Sequence, residues 1–298
     1  MKNINSLCSL VVVLLSLQAC QLETGDTKVD LGTVSFASRI AKADLEKNNW
    51  LLHGRTYDEQ RYSPLSQINS ENISNLSLEW FLDLPEARGQ ESTPLIIDGV
   101  MYASAAWSMV YALDARTGNE IWRFDPEVPR SWGIRACCDV VNRGVAYWDG
   151  YVLFGTIDGR LIALDSTDGA EIWSVHTIDV EKPYSITGAP RVVNGKVYIG
   201  NGGAEFGVRG YVTAYDVLNG DLIWRFYTVP GHPEEPFENE AMKMAAETWG
   251  GSWWELGGGG TVWDSMSYDS KYNLLYIGTG NGSPWNPKLR SDNKGDNL

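Results

Sequence analysis

Ala112-Leu-Asp114-Ala-Arg-Thr-Gly118-Asn-Glu-Ile-Trp122 recurs as Ala163-Leu-Asp165-Ser-Thr-Asp-Gly169-Ala-Glu-Ile-Trp173 and again as Ala214-Tyr-Asp216-Val-Leu-Asn-Gly220-Asp-Leu-Ile-Trp224. The three aspartates are spaced by fifty-one residues. In each copy a strand ends at the Asp, whose side chain caps a turn. The Gly takes the positive φ that the turn requires, and the next strand leads to the Trp. Upstream of each copy a second turn signal, Asp98-Gly99, Asp149-Gly150 or Asn194-Gly195, sits between alternating apolar runs. Such pairs are among the strongest short-range hairpin signals. Two hairpins per period give four antiparallel strands. A four-stranded unit at a period of about fifty residues matches a β-propeller blade, whose sheet buries both faces against its neighbours.

The expected fold is therefore all-β, a β-propeller of four-stranded antiparallel blades. A fourth, altered copy runs from Gly260-Thr-Val-Trp263 through Asp269 to Leu274-Leu-Tyr-Ile-Gly278. Before it, residues 232–249 form an acidic excursion with a short helical stretch from Asn239 to Thr248. Long insertions in repeat proteins map to a functional face, so this one is expected near the mouth of a site.

Outside the repeats, residues 1–20 combine Lys2 with an apolar run from Leu7 to Leu17, too short to span a bilayer but suited to a signal peptide. The chain is thus expected to be exported, to the periplasm. Leu17-Gln18-Ala19-Cys20 places a small residue before a cysteine, as lipoprotein cleavage sites do, which would make Cys20 a lipid anchor; ordinary cleavage after Ala19 fits the same residues. Residues 21–46 read as a polar leader, a tether or a short helix, and 47–298 as the propeller portion. The formal charge of −14 excludes the basic footprint that nucleic acid needs. Thirteen Trp, fourteen Tyr and thirty-one Gly suit short aromatic strands and tight turns rather than long helices.

Few residues stand out chemically. Cys137 and Cys138 are adjacent in a chain bound for an oxidising compartment. Neighbouring Cα atoms lie ~3.8 Å apart across a trans peptide, closer than the ~4.4–6.8 Å usual for disulfides. The pair is either a strained eight-membered ring of the kind concentrated at functional sites or two unlinked thiols packed as small hydrophobes. Two glycine-rich strand exits, Gly200-Asn-Gly-Gly-Ala-Glu205 and Gly278-Thr-Gly-Asn281, each present an oxygen donor suited to a hard cation. Trp263 follows Gly257-Gly-Gly-Gly260-Thr261, where missing side chains are expected to leave room beneath the indole for a planar ligand. His53, His176 and His232 show no metal-ligand spacing, and there is no haem c attachment motif, nucleophile elbow or Walker loop.

From about Asn49-Trp50 to the C-terminus the sequence resembles the quinoprotein alcohol dehydrogenases, which use pyrroloquinoline quinone (PQQ). The resemblance rests on Gly54-Arg55, Arg61-Tyr-Ser-Pro-Leu65, Ala136-Cys-Cys-Asp139, Gly200-Asn-Gly-Gly-Ala-Glu205, Trp253-Trp254, Thr261-Val-Trp-Asp264 and Gly280-Asn-Gly-Ser-Pro-Trp285. It is closest to the soluble quinohaemoprotein branch from Pro236 through Trp285. It implies that Cys137 and Cys138 form a vicinal disulfide covering one face of PQQ, with Trp263 as the floor on the other. Glu91, Arg143, Thr187, Gly203, Ala204 and Thr261 match positions that contact the quinone or its carboxylates. Glu205 and Asn281 match ligands of the metal, Ca²⁺ or a lanthanide. The implied activity is alcohol oxidation by metal-assisted hydride transfer to PQQ, with a small alcohol as substrate and a periplasmic acceptor such as a cytochrome. The family's propeller is eight-bladed; about half is expected here. The family's catalytic Asp base belongs to a segment beyond Leu298, so no catalytic residue is assigned and the chain is expected to be the N-terminal part of such an enzyme. An alternative from another class is a non-catalytic propeller lipoprotein that scaffolds outer-membrane assembly, which would share the repeat but need neither the cysteine pair nor Glu205 and Asn281.

Overall fold

The computed structural model describes residues 35–292 and 294–296; the expected signal peptide, Cys20 and the start of the leader lie outside them. Three four-stranded antiparallel sheets follow one another along the chain. The first contains β1 (Leu95–Ile97), β2 (Val100–Ser104), β3 (Val110–Asp114) and β4 (Glu120–Phe124). The second contains β5 (Ala146–Trp148), β6 (Tyr151–Gly155), β7 (Arg160–Asp165) and β8 (Glu171–His176), and the third β9 (Arg191–Val193), β10 (Lys196–Gly200), β11 (Tyr211–Asp216) and β12 (Leu222–Tyr227). A two-stranded sheet, β13 (Met266–Asp269) and β14 (Leu274–Ile277), stands at the altered fourth copy.

The turns form as their residues dictate. Asp98 and Gly99 have φ of 52° and 87°, Asp149 and Gly150 41° and 93°, and Asn194 and Gly195 49° and 74°. Positive φ at both loop residues gives the mirror-image turn whose twist suits paired strands. At the second hairpin, Asp114 Oδ1 accepts the N–H groups of Arg116 and Thr117 at 3.0 and 2.8 Å. Asp165 and Asp216 likewise accept from Thr167 and Leu218. A bulge recurs at the same place in each sheet, at Ala112/Leu113, Ala163/Leu164 and Ala214/Tyr215.

The repeated Trp and Gly join one sheet to the next. Trp122 Nε1 donates to the Ser166 carbonyl at 3.0 Å, and its ring covers Gly169, where an added Cβ would lie 2.7 Å from a ring carbon. Trp173 does the same to the Val217 carbonyl, at 2.8 Å, and to Gly220. Trp80, outside the three sheets, makes the equivalent contacts with Ala115 and Gly118. Buried apolar side chains such as Leu153, Phe154, Leu161, Ile162 and Leu164 fill the space between sheets.

Ahead of the sheets, α1 (Phe36–Ala41) docks Phe36 against Tyr147 and Trp148, so the later part of the polar leader is helical and packed. In the acidic excursion, α2 (Glu240–Ala246) starts at Asn239, whose side chain accepts from Met242 N–H. A short α3 (Pro287–Arg290) follows the fourth copy.

One stitch positions the site. Thr93 N–H donates to the Arg143 carbonyl and Arg143 N–H to the Thr187 carbonyl, each at 3.0 Å. The segments entering β1, β5 and β9 therefore run side by side, and their side chains converge.

Candidate cofactor site

The convergence gathers Glu91, Arg143 and Thr187. Arg143 holds a Glu91 carboxylate oxygen at 2.7 Å and donates to Thr187 Oγ1 at 2.7 Å. Its guanidinium carbon lies 4.9 Å from the centre of the Trp263 ring, a stacking distance for cation and indole. Arg143 and Trp263 face a cavity of about 430 Å³, within the range of small-molecule sites.

Glu205 and Asn281 line the same cavity. Glu205 sits in a single 3₁₀ turn, Ala204–Phe206, flanked by Gly203 at φ 102° and Gly207 at φ 83°. The run Gly257–Gly260, with φ of 80°, 79°, 73° and 65°, threads between the Glu205 and Asn281 loops. Gly259 N–H donates to the Val208 carbonyl at 3.1 Å, and Gly260 N–H to the Asn281 carbonyl at 2.9 Å. A Cβ at Gly259 would meet the Asn281 carbonyl oxygen at 2.5 Å. The run thus sews the two loops together by close backbone contact. This corrects the expectation that it leaves room beneath the Trp263 indole: the glycine beside that ring is Gly280, whose Cβ would stand 3.2 Å from Trp263 Cδ1.

Cys137 and Cys138 complete the wall, their sulfur atoms together and their Cα atoms 3.8 Å apart. Asp139, which follows them, also lines the cavity, at φ 82°. The Arg88 guanidinium, with the N–H groups of Gly89 and Val140, holds its carboxyl far below the usual carboxylate range.

Of the residues picked from sequence, Cys137, Cys138, Arg143, Thr187, Gly203, Ala204, Glu205, Thr261, Trp263 and Asn281 all line this one cavity. Glu91 does not; it reaches the site through Arg143. No residue of the acidic excursion, 232 to 249, lines the cavity. Its Glu238 is paired with Arg209 at 2.6 Å, and its Trp249 is buried beside Val229 and Trp253, because its apolar residues serve packing. Sequence reading missed Ser185, which lines the cavity. Its place two residues before Thr187 on an extended segment puts both hydroxyls on one face.

The site fits a planar polyanion with a cation. Arg143 and the hydroxyls of Ser185, Thr187 and Thr261 suit carboxylates, and the 44% exposed Trp263 offers a stacking face. The Glu205 carboxylate and Asn281 amide have no hydrogen-bond or ion-pair partner among the described residues, leaving their oxygens available to a hard cation. No group of three or more His, Cys, Asp or Glu suited to a metal occurs among those residues.

The PQQ family, described as the glucose/ethanol/alcohol dehydrogenase β-propeller domain, matches residues 50–287, and the chain belongs to it. It is 61% identical over 250 residues to quinohemoprotein alcohol dehydrogenase ADH IIB of Pseudomonas putida, covering 84% of this chain and 36% of that protein. The solved quinohemoprotein alcohol dehydrogenase of Comamonas testosteroni superposes with a TM-score of 0.86 at 54% identity, over 88% of this chain and 40% of the other. A europium-containing methanol dehydrogenase structure follows at a TM-score of 0.76 and 37% identity, over 85% of this chain and 46% of that one. The chain thus spans less than half the length of these relatives.

Proposed function

We propose that this chain forms the cofactor-holding part of an exported PQQ-dependent alcohol dehydrogenase, which oxidises a small alcohol and passes electrons to a periplasmic acceptor such as a cytochrome. The observation that carries the reading is the convergence, on one cavity, of the cysteine pair, the Trp263 face, the Arg143 cation and two unpaired oxygen donors. Bound there, PQQ would supply an o-quinone able to accept two electrons from an alcohol, with the cation as Lewis acid. The chain's own residues bind and orient. Arg143, fixed by Glu91 and Thr187, offers a preorganised cation to a carboxylate, and Glu205 and Asn281 hold Ca²⁺ or a lanthanide. Cys137 and Cys138, as a vicinal disulfide, form an apolar wall without thiol reactivity. The cavity's two carboxylates are Asp139, committed to Arg88, and Glu205, so no proton-abstracting base is placed here.

Calorimetric titration of the chain with PQQ, with and without Ca²⁺, tests this. One PQQ per chain is expected, tighter with Ca²⁺, with the Ca²⁺ effect lost in a Glu205→Gln, Asn281→Ala double variant. Binding that this variant leaves unchanged would contradict the cation site, and no binding would contradict the cofactor site.

A further inference from the structure

The cysteine pair is exposed, so burial does not hold it in place. What does is a strap, residues 86–91, that runs past the cysteine loop before entering the first sheet. Nearly every residue of this strap reaches across. Glu86 pairs with Arg130 at 2.7 Å, and Arg130 in turn stacks 4.2 Å over Trp107. Arg88 Nε donates to Asp139 Oδ1 at 2.7 Å, and Gly89 N–H to Asp139 Oδ2 at 3.0 Å. The Gln90 amide donates to the Ser104 carbonyl at 2.5 Å, and Glu91 takes Arg143 at 2.7 Å.

Asp139 is the receiving side of this clasp. Its Oδ1 also accepts its neighbour Val140 N–H at 2.7 Å, so one carboxylate ties two segments of backbone. Its left-handed φ of 82° is unusual for a non-glycine residue and is tolerated best by Asp and Asn. The crossing is close at Gly89, where a Cβ would stand 3.0 Å from Val141 Cγ1. On the other side of the cysteines, Arg135 donates to the Val180 and Lys182 carbonyls, each at 3.0 Å. The cysteine loop is thus pinned at both ends, and one pin belongs to the strap that also carries Glu91.

We propose that Arg88 and Asp139 are positioning residues that set the Cys137–Cys138 pair against the cofactor cavity, and that the strap couples that pair to Arg143 through Glu91. The part concerning the cofactor rests on the function proposed above. The clasp is electrostatic and solvent-facing, so its strength is modest and screened by salt.

Hydrogen exchange on the full chain tests the clasp without any cofactor. In Arg88→Met, amides from 137 to 141 are expected to exchange about two- to five-fold faster, with β7 unchanged, the range an exposed ion pair commands. Asp139→Asn keeps the shape and the backbone conformation but loses the charge, and should raise exchange further. Arg88→Lys should restore part of the protection, which a purely steric role for the side chain would not give. Equal exchange in wild type and Arg88→Met would overturn the clasp. A second arm follows PQQ release by stopped-flow tryptophan fluorescence. Faster release from Arg88→Met with unchanged association supports positioning, and unchanged release beside raised exchange overturns the cofactor role. Failure of every chain to bind PQQ, wild type included, would defeat the reading of the cavity instead, and the exchange result would still judge the clasp.

Discussion

Replacing Gly203 by Ala probes the link between backbone geometry and the oxygen-donor wall. Gly203 opens the turn that carries Glu205, with φ of 102°, and its added Cβ would stand 2.7 Å from the Pro183 carbonyl oxygen and 3.2 Å from Val208 Cγ2. Three effects compete. Left-handed backbone costs an L-residue about 1–2 kcal/mol. Forcing a methyl against a fixed carbonyl adds about 1–3 kcal/mol. Reduced freedom of the unfolded chain offsets about 0.4–1 kcal/mol. The net expected loss is about 2–4 kcal/mol. Gly99→Ala is the control: its φ is 87°, but nothing lies within 4 Å of the added Cβ, so only the conformational part applies. A loss of about 1 kcal/mol is expected there. Urea unfolding at a common slope measures both. If Gly203→Ala proves no worse than Gly99→Ala, the turn is not held against Pro183 and the placement of Glu205 is wrong.

Three further outcomes follow from the same contacts. Gly169→Ala, at φ 75° with its Cβ 2.7 Å from the Trp122 ring, should cost about 2–4 kcal/mol in urea unfolding; an unchanged midpoint would rule out the Trp-on-Gly joint between sheets. His53 is buried, and burial together with Arg191 and Arg61 pushes its pKa down to about 3. It is therefore neutral in the fold but protonates in the unfolded chain near pH ~6.5. Its contribution is present above pH ~6.5 and lost at ~1.4 kcal/mol per pH unit as pH falls toward the folded value. The stability difference between wild type and His53→Gln should accordingly shift by about 2 kcal/mol toward the variant from pH 7 to pH 5; a pH-independent difference would refute this. Arg143→Met should weaken PQQ binding by about ten- to hundred-fold, the worth of a charge-assisted hydrogen bond. Arg143→Lys should recover little, since an ammonium cannot serve Glu91 and Thr187 with a planar fork; full recovery would show that charge alone matters.

The blades were legible because their signals are local. Asp-Gly and Asn-Gly force a turn wherever they stand between strands, and the Asp…Gly…Trp stretch carries its own cap. The site was less legible because it is built between repeats. Glu91, Arg143 and Thr187 stand seven, six and seven residues ahead of the turn residues Asp98, Asp149 and Asn194. All three therefore fall in a segment that enters a sheet, but their offsets differ by one residue and their side chains differ in chemistry, so no repeat pattern announces them. The glycine run misled for a related reason. Glycine reports that something comes close, not what, and here Gly257 and Gly259 meet the backbones of the Glu205 and Asn281 loops, and Gly258 the Val229 side chain, rather than a ligand. The Asp139 clasp depends on Arg88, some fifty residues earlier, and no local pattern announces such a pairing.

The most direct measurement is a crystal structure of the chain grown with PQQ and Ca²⁺. Planar tricyclic density is expected between the Cys137–Cys138 pair and the Trp263 indole, with a carboxylate on Arg143 and a cation on Glu205 and Asn281. Ordered PQQ bound elsewhere, with this cavity holding only solvent, would contradict it.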